Sequence, residues 1–105
     1  MSRAMSSATA CKGALSQKGM FGRWPTIFFE LAADGGDVKL ASFKKEGGKM
    51  KDLWTAAGVD DIPDRPGKQS NRFDVRAANG KVVALSAHTK DEKKRWLKAI
   101  VDSLS

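Results

Sequence analysis

The sequence predicts a mainly β domain of short antiparallel strands, followed by one amphipathic α-helix near its C-terminal end. Three observations predict this class. Apolar residues alternate in two neighbouring segments, a turn sequence lies between those segments, and a helical apolar period follows directly after them.

Segments 72–77 and 81–87 predict a β-hairpin. In both of them the apolar residues fall on every second position, as in strands with one buried face. Asn79-Gly80 lies between the segments, and both residues tolerate the positive φ that a tight two-residue turn requires. We therefore expect two adjacent antiparallel strands joined by this turn.

The helix is predicted to begin after Thr89. This residue stands three positions before Glu92, which is the spacing of a capping box, where side chains bind the free amide groups of a helix start. Lysine and arginine fill the outward positions, so the helix has one side to bury. The apolar residues at helical spacing are Trp96, Leu97, Ile100, Val101 and Leu104.

Three further strands are predicted upstream of the hairpin. They cover residues 12–17, 24–31 and 38–43, with a glycine-rich turn over 34–37 between the last two. Pro25 fits only the beginning of a strand or an edge position, because proline has no amide donor for the ladder.

The sequence does not decide the secondary structure of residues 44–67. Met50, Leu53, Trp54 and Ala57 have the spacing of a helix, yet glycines at 47–48 and 58 bracket a segment short enough to be a strand. Residues 59–63 are expected to form one more short strand, which ends in the loop from Pro63 to Gly67.

We expect one domain over residues 11–105, preceded by a flexible tail over residues 1–10. A transit peptide is the alternative for this tail, but it lacks an Arg-rich amphipathic pattern. No apolar run approaches the roughly 20 residues that cross a bilayer. The lone Cys11 cannot form an internal disulfide, which favours a reducing compartment and a cytoplasmic location.

The formal net charge of +7 and the pI near 9.8 indicate an anionic partner, either nucleic acid or a membrane surface. The basic residues are spread along the chain and are not interleaved with stacking aromatics, which argues against nucleic acid. Those on the helix are interpreted as a solvated face. The other cations, for which function and solubility both stay open, are Lys12, Lys18, Arg23, Lys44, Lys45, Lys49 and Lys51.

The chain resembles the pleckstrin homology (PH) domain family over about residues 11–104. Lys12-Gly13-Ala14-Leu15 is similar to its opening strand, and the helix with Trp96 after the hairpin is the most specific element. The resemblance implies a bent antiparallel sandwich of seven strands, capped at one end by the C-terminal helix. It also implies that Trp96 is buried, since an indole offers a large apolar area.

Family members that bind phosphoinositides use a lysine in the first strand and a basic-x-Arg-x-aromatic pattern entering the second. Here Pro25 and Ile27 stand where the two basic residues would be, so specific headgroup recognition is weakened. The resemblance still implies a module that attaches peripherally to anionic or phosphoinositide-containing membranes in signalling or trafficking. The residues that it assigns to lipid binding are Lys12, Lys18, Arg23, Lys44 and Lys45.

Met20 and Phe21 lie at the tip of the loop between the first two strands, flanked by glycines. Either they fold back over the end of the sheet, or they insert between lipid headgroups while neighbouring cations hold phosphates. The competing function is a protein–protein interaction or adaptor domain, with basic charge that serves solubility. In either case we expect a monomer.

Catalysis is not expected. His88 and Cys11 are single residues with nothing obvious to orient an imidazole between them, and a zinc site needs about four such ligands. Asp60, Asp61 and Asp64 lack the glycine and terminal glutamate of a calcium loop. The sequence therefore predicts no enzyme, no metal and no cofactor.

Overall fold

The computed structural model describes residues 7–34 and 36–105, which form six antiparallel strands and one α-helix. Every strand pairs with its neighbours along the chain, and β1 also pairs with β6, which closes a barrel. The predicted fold class is confirmed, with six strands rather than seven. The elements are β1 (Ser7–Gln17), β2 (Thr26–Asp34), β3 (Asp37–Phe43), β4 (Met50–Asp61), β5 (Arg72–Ala77), β6 (Val82–Ser86) and α1 (Lys90–Leu104).

Strand β4 accounts for the difference in strand number. It also shows that the core of segment 44–67 is a strand. Its first half pairs with β3 and its second half with β5, with a register shift between Ala56 and Gly58. Such a bulge bends a strand, so one strand serves both halves of the barrel. Glycine at the bend lets the guanidinium group of Arg76 lie against the backbone, and a Cβ on Gly58 would displace it. The helical alternative for this segment is wrong.

Strand β1 begins earlier than expected. Its pairing with β2 runs from Ser7 opposite Asp34 to Ser16 opposite Thr26, with a register shift between Thr9 and Cys11. The predicted flexible tail is therefore wrong for residues 7–10, since their backbone continues the ladder of β1. Residues 1–6 of that tail lie outside the described part of the chain.

The predicted hairpin between β5 and β6 is confirmed, but its turn is wider than a two-residue turn. Within the turn only Gly80 has a positive φ, of 90°. Its amide donates to the carbonyl of Ala77 over 3.0 Å. The Ala77 amide donates to the Lys81 carbonyl over 2.8 Å, and the Asn79 side chain accepts from the Lys81 amide over 3.0 Å. Asn79 thus shapes the turn through its side chain, while glycine supplies the left-handed residue.

Helix α1 begins as predicted, with the hydroxyl oxygen of Thr89 accepting a hydrogen bond from the Glu92 amide over 3.1 Å. Trp96 and Ile100 are fully buried and join the core of the barrel. Val101 and Leu104, which were expected on the same buried side, are exposed. The helix lies across one end of the barrel, so only a narrow strip of it meets the strands.

The two ends of the barrel differ. At the capped end, α1 covers the core: the Lys93 ammonium binds the Asp61 carboxylate at 2.7 Å, and Arg95 donates to the Lys12 carbonyl at 3.5 Å. At the open mouth, the loops β1–β2, β3–β4 and β5–β6 surround the interior, which α1 does not reach. The open mouth comprises residues 17–25, 44–52 and 78–84.

Candidate functional site

The β1–β2 loop is closed on itself by main-chain hydrogen bonds. The Gln17 amide donates to the Pro25 carbonyl over 3.0 Å, and the Gly19 amide donates to the Arg23 carbonyl over 2.7 Å. The Arg23 amide in turn donates to the Met20 carbonyl over 3.3 Å, so residues 20–22 form a single 3₁₀ turn at the tip. The loop is therefore a defined projection at the open mouth.

The apolar residues at this tip face solvent. The side chain of Met20 is 76% exposed and that of Phe21 is 93% exposed, so the interpretation that they fold back over the sheet is wrong. Phe21 has a φ of 59°, a left-handed conformation that costs a non-glycine residue roughly 1–2 kcal/mol. A large aromatic is thus held outward by a strained backbone, which is the kind of outlier that suggests function.

Trp24 lies at the base of the same loop and is partly buried. The Arg72 guanidinium lies 5.7 Å from the centroid of its ring, and two nitrogens of Arg72 also bind the Asp74 carboxylate at 3.1 and 3.3 Å. The cation beside Trp24 is therefore Arg72 of β5 and not its sequence neighbour Arg23. Arg23 is exposed and lines, with Met20, Phe21 and Trp24, a shallow cleft of about 690 Å³.

Lys44 and Lys45 begin the β3–β4 loop, at the same end of the barrel as the β1–β2 loop. The β2–β3 ladder ends where Phe28 is opposite Phe43, and the two lysines follow in the bends directly after β3. Both lysines are exposed. The structure therefore brings Lys18, Arg23, Lys44 and Lys45 to one end of the barrel.

Lys12 does not join this group. It is exposed in the middle of β1, opposite Glu30, and Arg95 of α1 contacts its carbonyl. Six residues of extended strand separate it from Lys18, which is about 20 Å. One headgroup cannot contact both lysines.

The structure adds residues to the site that the sequence analysis did not select. A cavity of about 350 Å³ opens at the mouth, lined by Lys18 and Lys81 together with Asp52, Trp54 and the start of β6. A smaller hollow of about 150 Å³ is lined by Lys18, Lys51 and Asp52. We call these two spaces together the mouth cavity. The alternation of strand residues was the available signal for Lys81. Val83 and Leu85 face inward, and the residue two positions before Val83 is Lys81.

Folding concentrates the positive charge. The open mouth carries seven cations and two carboxylates, a surplus of five positive charges out of the chain's formal net charge of +7. No ion pair within the described ranges involves any of these nine residues. They are Lys18, Arg23, Lys44, Lys45, Lys49, Lys51, Lys81, Glu46 and Asp52.

The groups considered for catalysis lie elsewhere. Cys11 is buried in the core, and burial raises the pKa of its thiol, while the nearby Arg95 lowers it in part. His88 is exposed in the turn before α1. Among residues 7–34 and 36–105, no group of three or more His, Cys, Asp or Glu side chains is arranged to hold a metal ion. No helix in the same ranges is long and apolar enough to cross a membrane.

A closed antiparallel barrel with one end capped by a C-terminal helix, and with loops around the other, defines a class of fold. Comparison with protein-family models and with curated proteins finds no match. Comparison with solved structures does. The C-terminal PH domain of pleckstrin, in complex with D-myo-Ins(1,2,3,5,6)P5, covers 93% of this chain and 97% of its own length at a TM-score of 0.80 and 22% identity.

The PH domain of human oxysterol binding protein-related protein 11 is similar over 99% of this chain and 86% of its own, with a TM-score of 0.73 and 24% identity. The PH domain of human pleckstrin homology domain-containing protein family A member 5 covers 99% of this chain and 83% of its own, with a TM-score of 0.66 and 14% identity. The chain has the pleckstrin homology fold.

Proposed function

We propose that this domain is a non-catalytic module that attaches to anionic membranes, including phosphoinositide-containing ones, from the cytoplasmic side. The observation that carries the proposal is a solvent-facing aromatic, Phe21, at the tip of the β1–β2 loop of the basic open mouth. The similar pleckstrin domain that was crystallised with an inositol pentakisphosphate supports an anionic ligand for this fold.

The charges supply attraction. A cation close to an anionic leaflet contributes about 1 kcal/mol, so Lys18, Arg23, Lys44 and Lys45 together contribute about 4 kcal/mol. Because these side chains are exposed and have no ion-pair partner in the described ranges, binding does not first require a salt bridge to break. Lys12, the remaining predicted contact, lies too far along β1 to touch the same lipid and is assigned only a long-range contribution.

The loop tip supplies burial. Full burial of a phenylalanine side chain is worth about 1.5–3 kcal/mol, and Phe21 needs no rearrangement to reach the acyl boundary. Met20 next to it adds a flexible apolar side chain. A strained and exposed aromatic, flanked by Lys18 and Arg23, fits the membrane interface, where the acyl region is apolar and the headgroup region is negatively charged.

The decisive experiment is vesicle sedimentation with the double variant Lys18→Glu, Arg23→Glu. Charge reversal at the mouth should lower binding to anionic vesicles by about 30-fold or more, while thermal unfolding stays unchanged, because both side chains lie outside the core. The matched control is Lys90→Glu, Lys94→Glu, which makes the same change of net charge at the capped end and should bind nearly as well as the parent. Equal losses in both variants would mean that only net charge matters.

Two further measurements define the mode of binding. Phe21→Ser should weaken binding without changing the slope of binding against salt concentration, since it removes apolar area and no charge. No phosphoinositide should be preferred over phosphatidylserine at matched charge, because Pro25 and Ile27 stand where specific members carry cations. A sharp preference would mean that other residues form an inositol phosphate pocket.

The second candidate function is a protein-interaction domain. The exposed Val101 and Leu104 on α1 favour it, because they form an apolar strip away from the mouth. If the parent domain fails to sediment with every anionic vesicle at low salt, the membrane proposal is wrong. A partner whose binding is lost in Val101→Asp, but kept in the double mouth variant, would establish the alternative.

A further inference from the structure

The inner wall of the barrel ends in a carboxylate at the open mouth. Along β4 the buried Ala56, opposite the buried Ala77, faces inward, and two residues earlier Trp54 stacks on the buried Phe29 with ring centroids 6.5 Å apart. One step further along this alternation is Asp52. Its amide donates to the hydroxyl oxygen of the fully buried Ser42 over 3.1 Å, which fixes this part of the wall.

Three lysines line the same spaces as this carboxylate, and none is paired with it. Lys18, Lys51 and Lys81 line the mouth cavity together with Asp52. None of them forms an ion pair with Asp52, and none of the described side chains donates a hydrogen bond to its carboxylate. For a ligand that carries only negative charge, an unpaired carboxylate in the cavity is repulsive. For a ligand that also carries an ammonium group, it is a partner.

We propose that the mouth cavity selects the headgroup of phosphatidylserine. Asp52 accepts hydrogen bonds from its ammonium group, and the three lysines bind its phosphate and carboxylate. In the larger part of the cavity the charges match group by group: the headgroup has two anionic groups and one cation, and the cavity has two cations, Lys18 and Lys81, and one anion, Asp52. Lys51 adds a third cation in the smaller part. This inference rests on the proposed membrane function and names its lipid.

Shape is consistent with this assignment. The larger part of the mouth cavity holds about 350 Å³, and its floor is the half-buried Trp54. The apolar tip at Phe21 lies at the same end of the barrel. A lipid whose headgroup enters the cavity therefore leaves its acyl chains on the side where the tip meets the bilayer.

The first test uses soluble headgroup analogues and needs no membrane. O-phosphoserine and 3-phosphoglycerate differ by an amine against a hydroxyl, and each is titrated while the amide signals of Asp52 and Lys81 and the indole signal of Trp54 are followed by NMR. We expect phosphoserine to bind at least about fivefold more tightly. Asp52→Asn should remove that difference. Equal or tighter binding of 3-phosphoglycerate to the parent domain would overturn the proposal.

The second test uses vesicles that contain phosphatidylserine or phosphatidylglycerol at the same mole fraction, so that both carry equal charge. The parent should prefer phosphatidylserine by about fivefold, and Asp52→Asn should bind both equally, with phosphatidylglycerol bound more tightly than by the parent. The matched control is Glu46→Gln, which removes one negative charge from the exposed β3–β4 loop. It should raise binding to both vesicles and keep their ratio.

The outcomes separate the two proposals. If the parent binds both vesicles equally and Asp52→Asn does not change the ratio, the headgroup proposal is wrong and the membrane function stands. If the parent binds neither vesicle, the membrane function is wrong, and the soluble titration still decides what the cavity selects. Lys81→Gln serves as a second variant, and it should weaken phosphoserine and 3-phosphoglycerate alike.

Discussion

The capped end and the open mouth of the barrel are built from the same strands but have opposite chemistry. At both ends, alternate strand residues face the interior, but at the capped end they meet Trp96 and Ile100, whereas at the mouth they end in Asp52 and Lys81. The capped end therefore carries stability, and the mouth carries charge that water and ligands can reach. The comparison shows that a helix packed on one end of this barrel is enough to complete its hydrophobic core.

The largest expected effect is on the capped end. Trp96→Ala should lower the free energy of unfolding by about 3–5 kcal/mol, enough to unfold a marginal domain, because the indole is fully buried in the core. Its Nε1 has no hydrogen-bond partner among the described residues, so the contribution is burial rather than a polar bond. Chemical denaturation of the parent and the variant measures this change in the free energy of unfolding.

The control for this variant lies five residues further along the same helix. Val101→Ala should change stability by less than about 0.5 kcal/mol, since Val101 is half exposed. If Trp96→Ala melted like Val101→Ala, α1 would not be the cap of the barrel.

The open mouth should respond in the opposite direction. Phe21→Gly should raise the free energy of unfolding by about 0.5–1 kcal/mol, because glycine adopts the left-handed conformation of residue 21 without strain, although it loses more chain entropy. The same variant should bind vesicles less well. Gain of stability with loss of binding would show that the tip is kept strained for its function.

Met20→Gly is the matched control at this tip. Met20 has no positive φ, so glycine relieves no strain there and should leave stability unchanged or slightly lower. A stabilising effect of equal size in both variants would mean that loop flexibility, and not backbone strain at Phe21, explains the result.

The smallest effect concerns Cys11 beside the capped end. Burial raises the pKa of this thiol, so the folded state binds a proton that the unfolded chain releases at lower pH. Stability should be constant below the ordinary thiol pKa and should fall as the pH rises above it. Cys11→Ala should lose this alkaline dependence, and denaturation curves on both sides of that pKa measure it.

The hairpin and the helix were predictable because their signals are local. Gly80 and the cap formed by Thr89 act on residues within three or four positions of themselves, so the sequence pattern contains the whole interaction. The same holds for the burial of Trp96, which helical periodicity places on one side. The exposure of Val101 was not predictable, since it depends on how the helix crosses the barrel end.

Strand β4 and the mouth cavity were not predictable in this way. The bulge at Ala56 and Gly58 lies where β4 changes its pairing partner from β3 to β5. The sequence of β4 alone does not indicate this change. Lys18, Lys81 and Asp52 are far apart in sequence and meet only because the barrel closes. Each carries an ordinary surface charge when taken alone, and the surplus at the mouth is a property of the fold.

The closure between β1 and β6 sets the order in which this protein can assemble. Two residue pairs join these strands, Ser16 with Ser86 and Gln17 with Leu85, and the Lys18 amide donates to the Ala84 carbonyl over 3.0 Å. These contacts bring together positions about 70 residues apart. The hairpins between successive strands can form early because their loops are short, whereas this contact must wait for nearly the whole chain and requires a large loop closure. We therefore expect the mouth cavity to be among the last features to form during folding, and a local opening between β1 and β6 to remove it first while the rest of the sheet stays paired.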